Sequence, residues 1–130
     1  MTLKETILQM LQNKGLAPEI DQDGDIKFRF QMKTLFILVS DDDSYISILL
    51  PNFYEIEEGE EPLILAVCNK MTRELKQAKV FVDQNFKKVT SNCEFYYTND
   101  ETLEADIEHS LGVLSIVRTV FRTNKDELSK

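Results

Sequence analysis

The stretch from Asp100 to Thr123 constrains the fold most, because it reads as one long helix whose apolar face widens along its length. At 100° per residue, Leu103, Ile107, Leu111, Leu114, Val117 and Phe121 share a stripe, the pattern of a helix laid on a core. From Val113 onward, Val113, Ile116 and Val120 add a second stripe, where earlier turns carry Asp106 and His109. The far end of the helix therefore needs cover on two sides. A sheet is expected beneath one side; over the other, the chain's first helix or a second copy of the chain is expected. Thr98 and Glu101 fit a capping box, and Asp100, Glu101 and Glu104 suit the positive end of the helix dipole, with Arg122 and Lys125 at the other end.

The elements upstream are short. Thr2 and Glu5 make another capping-box pair, and Leu3, Ile7, Met10 and Leu11 keep helical spacing as far as Gly15. After turn residues Asp23 and Gly24, alternation puts Ile26, Phe28, Phe30 and Met32 on one face of a strand, with Lys27, Arg29, Gln31 and Lys33 on the other. Leu35 to Val39 is apolar on both faces, which fits a central strand. Asp41, Asp42, Asp43 and Ser44 turn it into Tyr45 to Leu50, where Pro51 is expected to end the run. Pro62 suits the first turn of a second helix with Ile64, Val67, Cys68, Met71 and Leu75 inward. Lys79 to Asp83 and Lys88 to Tyr97 follow as a hairpin. The aromatics Phe28, Phe30, Phe36, Phe81, Phe95 and Tyr97 fall at strand spacing and are assigned mainly to the core. The order helix, three or four strands, helix, two strands, helix is an α+β domain with an antiparallel sheet, α-β-β-β(-β)-α-β-β-α, in one domain over residues 1–130.

Charge narrows the partners. The net charge of −8 is local, since Asp41 to Glu61 holds eight acidic residues and no Lys or Arg, and the remainder is balanced. Nucleic acid is disfavoured, because phosphate binding needs a basic stripe with interleaved aromatics. The acidic segment, with Glu55, Glu57, Glu58, Glu60 and Glu61 at its end, reads as a solvated loop that aids solubility, or as a patch that steers a basic partner. Glu60 and Glu61 also stand at the positive end of the second helix. No run approaches the roughly 18 apolar residues of a membrane span. The first residues lack the pattern of a signal peptide, so a cytoplasmic location is expected.

Catalytic and metal chemistry find little footing. Cys68 and Cys93 are read as reduced core thiols, too few and too widely spaced for a disulfide framework or a metal knuckle. Asp21, Gln22, Asp23, Gly24 and Asp25 resemble the start of a calcium loop, but Gly24 stands at position four and Met32 at twelve. An EF-hand needs Gly at six and a bidentate Glu at twelve, so a hairpin turn is the better reading. His109 is the single histidine, read as a surface residue beside Glu108 and Asp106. No Ser or Cys stands in a recognised nucleophile turn, and the four glycines are isolated, which excludes a phosphate-cradling loop. No enzyme activity and no cofactor are expected; an enzyme would need a deep cleft around a carboxylate pair.

The run Leu65, Ala66, Val67, Cys68, Asn69, then Lys79, Val80, Phe81, Val82, Asp83, then Leu103, Ile107 and Leu111 resembles the YbjN family, which shares its fold with type III secretion chaperones. One departure is Phe86, Lys87 and Lys88, where a short polar turn is expected. The resemblance implies a non-enzymatic domain that binds other proteins, often as a dimer; YbjN-like proteins are described as sensory transduction regulators. It transfers no catalytic residue. The expected function is a cytosolic protein-binding or regulatory domain, with a secretion-type chaperone holding an extended client segment as the alternative. Val113, Ile116 and Val120 are the expected partner or dimer contact.

Overall fold

The computed structural model describes all 130 residues. Helix α1 (Leu3–Asn13) starts on the expected capping box, the Thr2 hydroxyl accepting from the Glu5 N–H at 3.2 Å and the Glu5 carboxylate from the Thr2 N–H at 3.4 Å. It stops where Gly15 takes a φ of 84°, a left-handed value that a side chain would oppose. Then come β1 (Glu19–Ile20), β2 (Ile26–Phe30), β3 (Lys33–Val39), β4 (Tyr45–Glu55), α2 (Glu61–Glu74), β5 (Ala78–Val82), β6 (Lys88–Tyr96) and α3 (Asp100–Leu128). The six strands form one antiparallel sheet in the order β1-β2-β3-β4-β6-β5. This is the α+β order expected, with β6 inserted between β4 and β5.

Register places one parity of every strand on a common face. Ile26 pairs with Ile37, Ile37 with Ile48, Ile48 with Cys93 and Cys93 with Ala78, a row crossing five strands. These residues join Leu3, Ile7 and Leu11 of α1, Ile64, Val67 and Met71 of α2, and the Leu103 to Phe121 stripe of α3 in a single buried cluster. Burying each large aliphatic contributes about 1.5–3 kcal/mol, so all three helices are held on this one side. Both cysteines are free and buried within the cluster; burial pushes the Cys68 thiol up to about 11 and also raises Cys93. They are core thiols, as expected.

Several boundaries differ from the sequence reading. Met32 does not continue the strand inward. Gln31 and Met32, at φ 50° and 66°, form a two-residue hairpin turn between the paired Phe30 and Lys33, and Met32 is 87% exposed. Both turn residues take positive φ, as a type I′ turn demands, without the Asn or Gly that normally signals one. Pro51 does not end β4 either. The strand continues to Glu55 through an irregularity between Leu50 and Tyr54, where a proline needs no ladder donor, and the Thr90 hydroxyl accepts from the Asn52 N–H at 3.1 Å. Helix α3 is capped by Asn99, whose side chain accepts from the Thr102 N–H at 2.9 Å, rather than by Thr98; it extends to Leu128, beyond the expected end. Phe86 takes φ 55° in the β5–β6 turn while the Asp83 carboxylate accepts from the Lys87 N–H at 2.8 Å, and the pairing from Ala78↔Cys93 to Val82↔Val89 stays regular.

The second side of α3 is covered only in part, by α2 rather than α1, and Ile116 stays 48% exposed. Helix α2 packs along α3, and Lys70 bridges to Glu127 at 3.2 Å. Helix α1 is held elsewhere, Lys4 donating to the Gly24 carbonyl at 2.6 Å and Lys14 pairing with Glu108 near the start of α3.

Candidate functional site

Two surfaces stand out once the helices are assigned to one side of the sheet. The first is the opposite face of the sheet, which no helix covers. Its side chains have the other strand parity: Phe36, Leu38, Tyr45, Ser47, Leu49 and Tyr96 in the middle, with Asn92, Glu94 and Lys79 toward β5. Register brings Phe36 opposite Leu49, Leu38 opposite Ser47, and Tyr45 opposite Tyr96. The tyrosine rings meet edge-on at 5.8 Å between centroids. Leu38 is 36% exposed and Tyr96 74% exposed. Phe36 is only half-buried, and Phe81, farther along the same face, is exposed, so neither belongs to the core to which the sequence assigned them. A polar frame limits the apolar strip: Asn92 donates to the Ser47 hydroxyl at 3.1 Å, Lys79 pairs with Glu94, and Arg29 donates to the Thr34 hydroxyl at 2.8 Å.

The β5 edge beside this face is shielded at one residue. On β5, Val80 turns its backbone groups away from β6, and one hydroxyl meets both: Thr72 Oγ1 of α2 accepts from the Val80 N–H at 2.9 Å and donates to the Val80 carbonyl at 3.2 Å. This shields an edge that would otherwise offer itself to another strand. The opposite edge carries only the two residues of β1.

The second surface is a cleft beside the C-terminal half of α3. Two adjoining hollows, of about 350 and 260 Å³, share Phe53 and Arg118. The β4 irregularity creates the floor by turning Phe53 and Tyr54 toward α3, where their rings pack on Phe121 at centroid distances of 5.3 and 4.9 Å. Arg118, Arg122 and Lys125 line the cleft from α3, and the β2–β3 turn adds Met32 and Lys33.

Glu60 lies behind that cleft and ties two of its lining residues, Tyr54 and Lys125. Its carboxylate accepts from the Tyr54 hydroxyl at 2.7 Å and the Glu57 N–H at 2.9 Å, and pairs with Lys125 at 3.3 Å. Burial alone would raise its pKa; the Glu57 amide, the Tyr54 hydroxyl and the Lys125 ammonium together hold it below the usual carboxylate value. Burial and the neighbouring Glu60 acceptor raise Tyr54, and Glu60 raises Lys125.

The structure scatters the other residues singled out from sequence. Glu55, Glu57 and Glu58 are exposed and Glu61 is partly buried at the α2 start, so of this group Glu60 has become a structural tie. Val113 and Val120 are half-buried against the core, whereas Ile116 is 48% exposed. Val113 and Ile116 line a shallow hollow with Gly112 and the exposed His109. Asp21 accepts from the Asp23 and Asp25 N–H groups at 2.9 and 3.0 Å, the hairpin turn expected in place of a calcium loop. Arg118 was not singled out from the sequence; its i, i+4 spacing to Arg122, followed by Lys125, is the signal that places three cations on one side of a helix. The open sheet face had a weaker signal, Phe36 and Leu38 alternating with core residues in a strand that reads as buried on both sides.

The crystal structure of YbjN from E. coli superposes with a TM-score of 0.73 at 14% identity, covering 97% of this chain and 94% of that one. An uncharacterized protein from Methanothermobacter thermautotrophicus superposes with a TM-score of 0.60 at 12% identity, covering 96% of this chain and 98% of the other. At these identities the likeness is one of fold. No curated protein matches in sequence. A family model described as "T3SS (YopN, CesT) and YbjN peptide-binding chaperone 1" matches residues 1–108, which take in the entire sheet, α1, α2 and the first turns of α3. The chain therefore belongs to this family of peptide-binding chaperones, TY-Chap1.

Proposed function

We propose that the protein is a non-catalytic binding module that holds an extended, apolar-containing segment of a client protein across the open face of its sheet. The observation that carries this reading is the uncovered strip of Phe36, Leu38, Leu49, Tyr45 and Tyr96, lying wholly within the residues matched by the peptide-binding family. An exposed, contiguous apolar strip with a polar frame is the usual mark of a protein-binding surface. Aromatic anchors such as Tyr45 and Tyr96 supply contact area at little cost in conformational freedom. The strip lies across β3, β4 and β6, so it suits side chains of a client more than strand addition, which the Thr72 cover at β5 opposes.

The test is a panel of labelled peptides, apolar-aromatic against polar, titrated with the full chain and read by anisotropy and by amide chemical shifts. Apolar-aromatic peptides are expected to bind and to shift β3, β4 and β6 amides. Binding that shifts only helix amides, or no preference over the polar peptides, would refute the sheet-face site.

A further inference from the structure

The cleft beside α3 has a charge at odds with the molecule around it. The chain carries −8 overall, yet Arg118, Arg122 and Lys33 face the cleft without an ion pair, against the single lining carboxylate Asp126. The fourth cation, Lys125, is already neutralised by Glu60 and lies over the Tyr54 ring at 5.8 Å. Arg118 and Arg122 are solvent-exposed, and Lys33 reaches only the Gln31 carbonyl at 3.4 Å. Between these charges lie Phe53 and Tyr54, both half-buried, and the exposed Met32.

We propose that this cleft binds an acidic segment of the client, its carboxylates on Arg118 and Arg122 and an aromatic or aliphatic side chain over Phe53. The inference rests on the peptide-binding reading and adds the chemistry of a second contact. Guanidinium groups take carboxylates through paired hydrogen bonds. One helical turn separates Arg118 from Arg122, so they can hold two carboxylates of an extended segment or both flanks of a turn. The same complementarity steers association and is weakened by salt. Three free cations in a strongly acidic molecule are too few to track a phosphate backbone, and the aromatic floor sits in a pocket rather than along a stripe, which favours peptide over nucleic acid.

The experiment titrates the full chain into a short fluorescein-labelled peptide of aspartate and glutamate interrupted by phenylalanine. Its lysine counterpart, a neutral apolar peptide and a single-stranded oligonucleotide are titrated alongside. The acidic peptide is expected to bind in a salt-sensitive way and to lose about tenfold in affinity with Arg118→Glu combined with Arg122→Glu, and less with the two Gln replacements. Arg73→Glu, a charge reversal at an exposed site on α2 outside both surfaces, should leave it unchanged. Because both arginines are exposed, the variants should keep the wild-type circular dichroism spectrum and melting temperature; a variant that unfolds is replaced by Lys33→Glu for the same reading. Equal binding of the lysine peptide, or no loss in the arginine variant, overturns the proposal. Tighter binding of the oligonucleotide overturns it in favour of nucleic acid. Self-association abolished both by the arginine changes and by Glu57→Lys with Glu58→Lys overturns it in favour of a second copy. A neutral peptide that binds and depends on Leu38, while the acidic one does not bind, removes the cleft inference and leaves the sheet-face reading; failure of every peptide removes both.

Discussion

The open sheet face and the α3 cleft are two ways of leaving apolar surface in water, and they differ in what holds that surface apart. On the sheet face the spacing is set by a regular ladder: Phe36↔Leu49 and Leu38↔Ser47 are cross-strand pairs, fixed by backbone hydrogen bonds and flanked by paired polar groups. In the cleft the spacing comes from an irregularity, the β4 bulge at Leu50 to Tyr54, and from side chains packed edge to face on Phe121. The first is set by the ladder and lies within the family-matched residues; the second depends on packing, is basic, and takes its α3 cations from beyond residue 108. The two surfaces therefore differ in origin: the strip comes from strand register within the family-matched residues, and the cleft's α3 cations come from residues after 108.

The largest expected effect breaks the cleft alone. Phe121→Ala removes the ring on which Phe53 and Tyr54 rest, 3% exposed in the native fold, and should cost about 3–5 kcal/mol in denaturant unfolding. Amide shifts in β2 and β3 should stay near wild type, and a collapse of the sheet-face signals would show that the two regions are not separable.

Leu38→Glu, which places a charge in the middle of the open strip, should weaken apolar-peptide binding by at least tenfold, about 1.4 kcal/mol. Its unfolding free energy should move by about 0.5 kcal/mol, as for an exposed site. A large loss of stability with unchanged binding would mean that the strip serves the fold.

Glu60 sharpens the comparison through pH. Its folded pKa lies below the ordinary value, so the unfolded chain takes up the proton first as pH falls. The stability it contributes is present above the unfolded pKa and is lost as pH drops through the folded one. Glu60→Gln should therefore cost about 1 kcal/mol near neutrality, and the difference from wild type should vanish at acidic pH. A pH-independent difference would assign the loss to packing.

The smallest effect concerns the proposed dimer contact through Val113, Ile116 and Val120. Since Val113 and Val120 already pack on the core, Ile116→Glu is the informative change, and it should alter stability by no more than about 0.5 kcal/mol. A dimer formed through this face shifts to monomer in sedimentation velocity; a protein that is monomeric before and after the change removes the contact.

Much of this architecture was legible along the chain. Thr2 and Glu5 cap α1 as read, the Leu103 to Phe121 stripe is buried as read, and Pro62 stands in the first turn of α2. The misses have physical causes. Gln31 and Met32 adopt left-handed angles because the strands on either side pair strongly enough to impose them, which no turn propensity at those residues announces. Pro51 is tolerated because β4 is irregular there, and that irregularity shows only against Val89 and Ser91 of β6. The cover of α3 fell to α2 because β5 follows α2 directly and ties it to that edge through Thr72.

Sequence by itself determined which segments coil and which extend, because capping groups and residue periodicity act over a few positions. Only the tertiary structure decided which face of the sheet stays bare and which cations meet across a cleft. Those outcomes rest on β6 entering between β4 and β5, and on Arg118 lining the same hollow as Phe53, which bring together residues some thirty-three to sixty-five positions apart in the chain. Such contacts are selected by the free energy of closing one common core, a property of the whole chain that no short window contains.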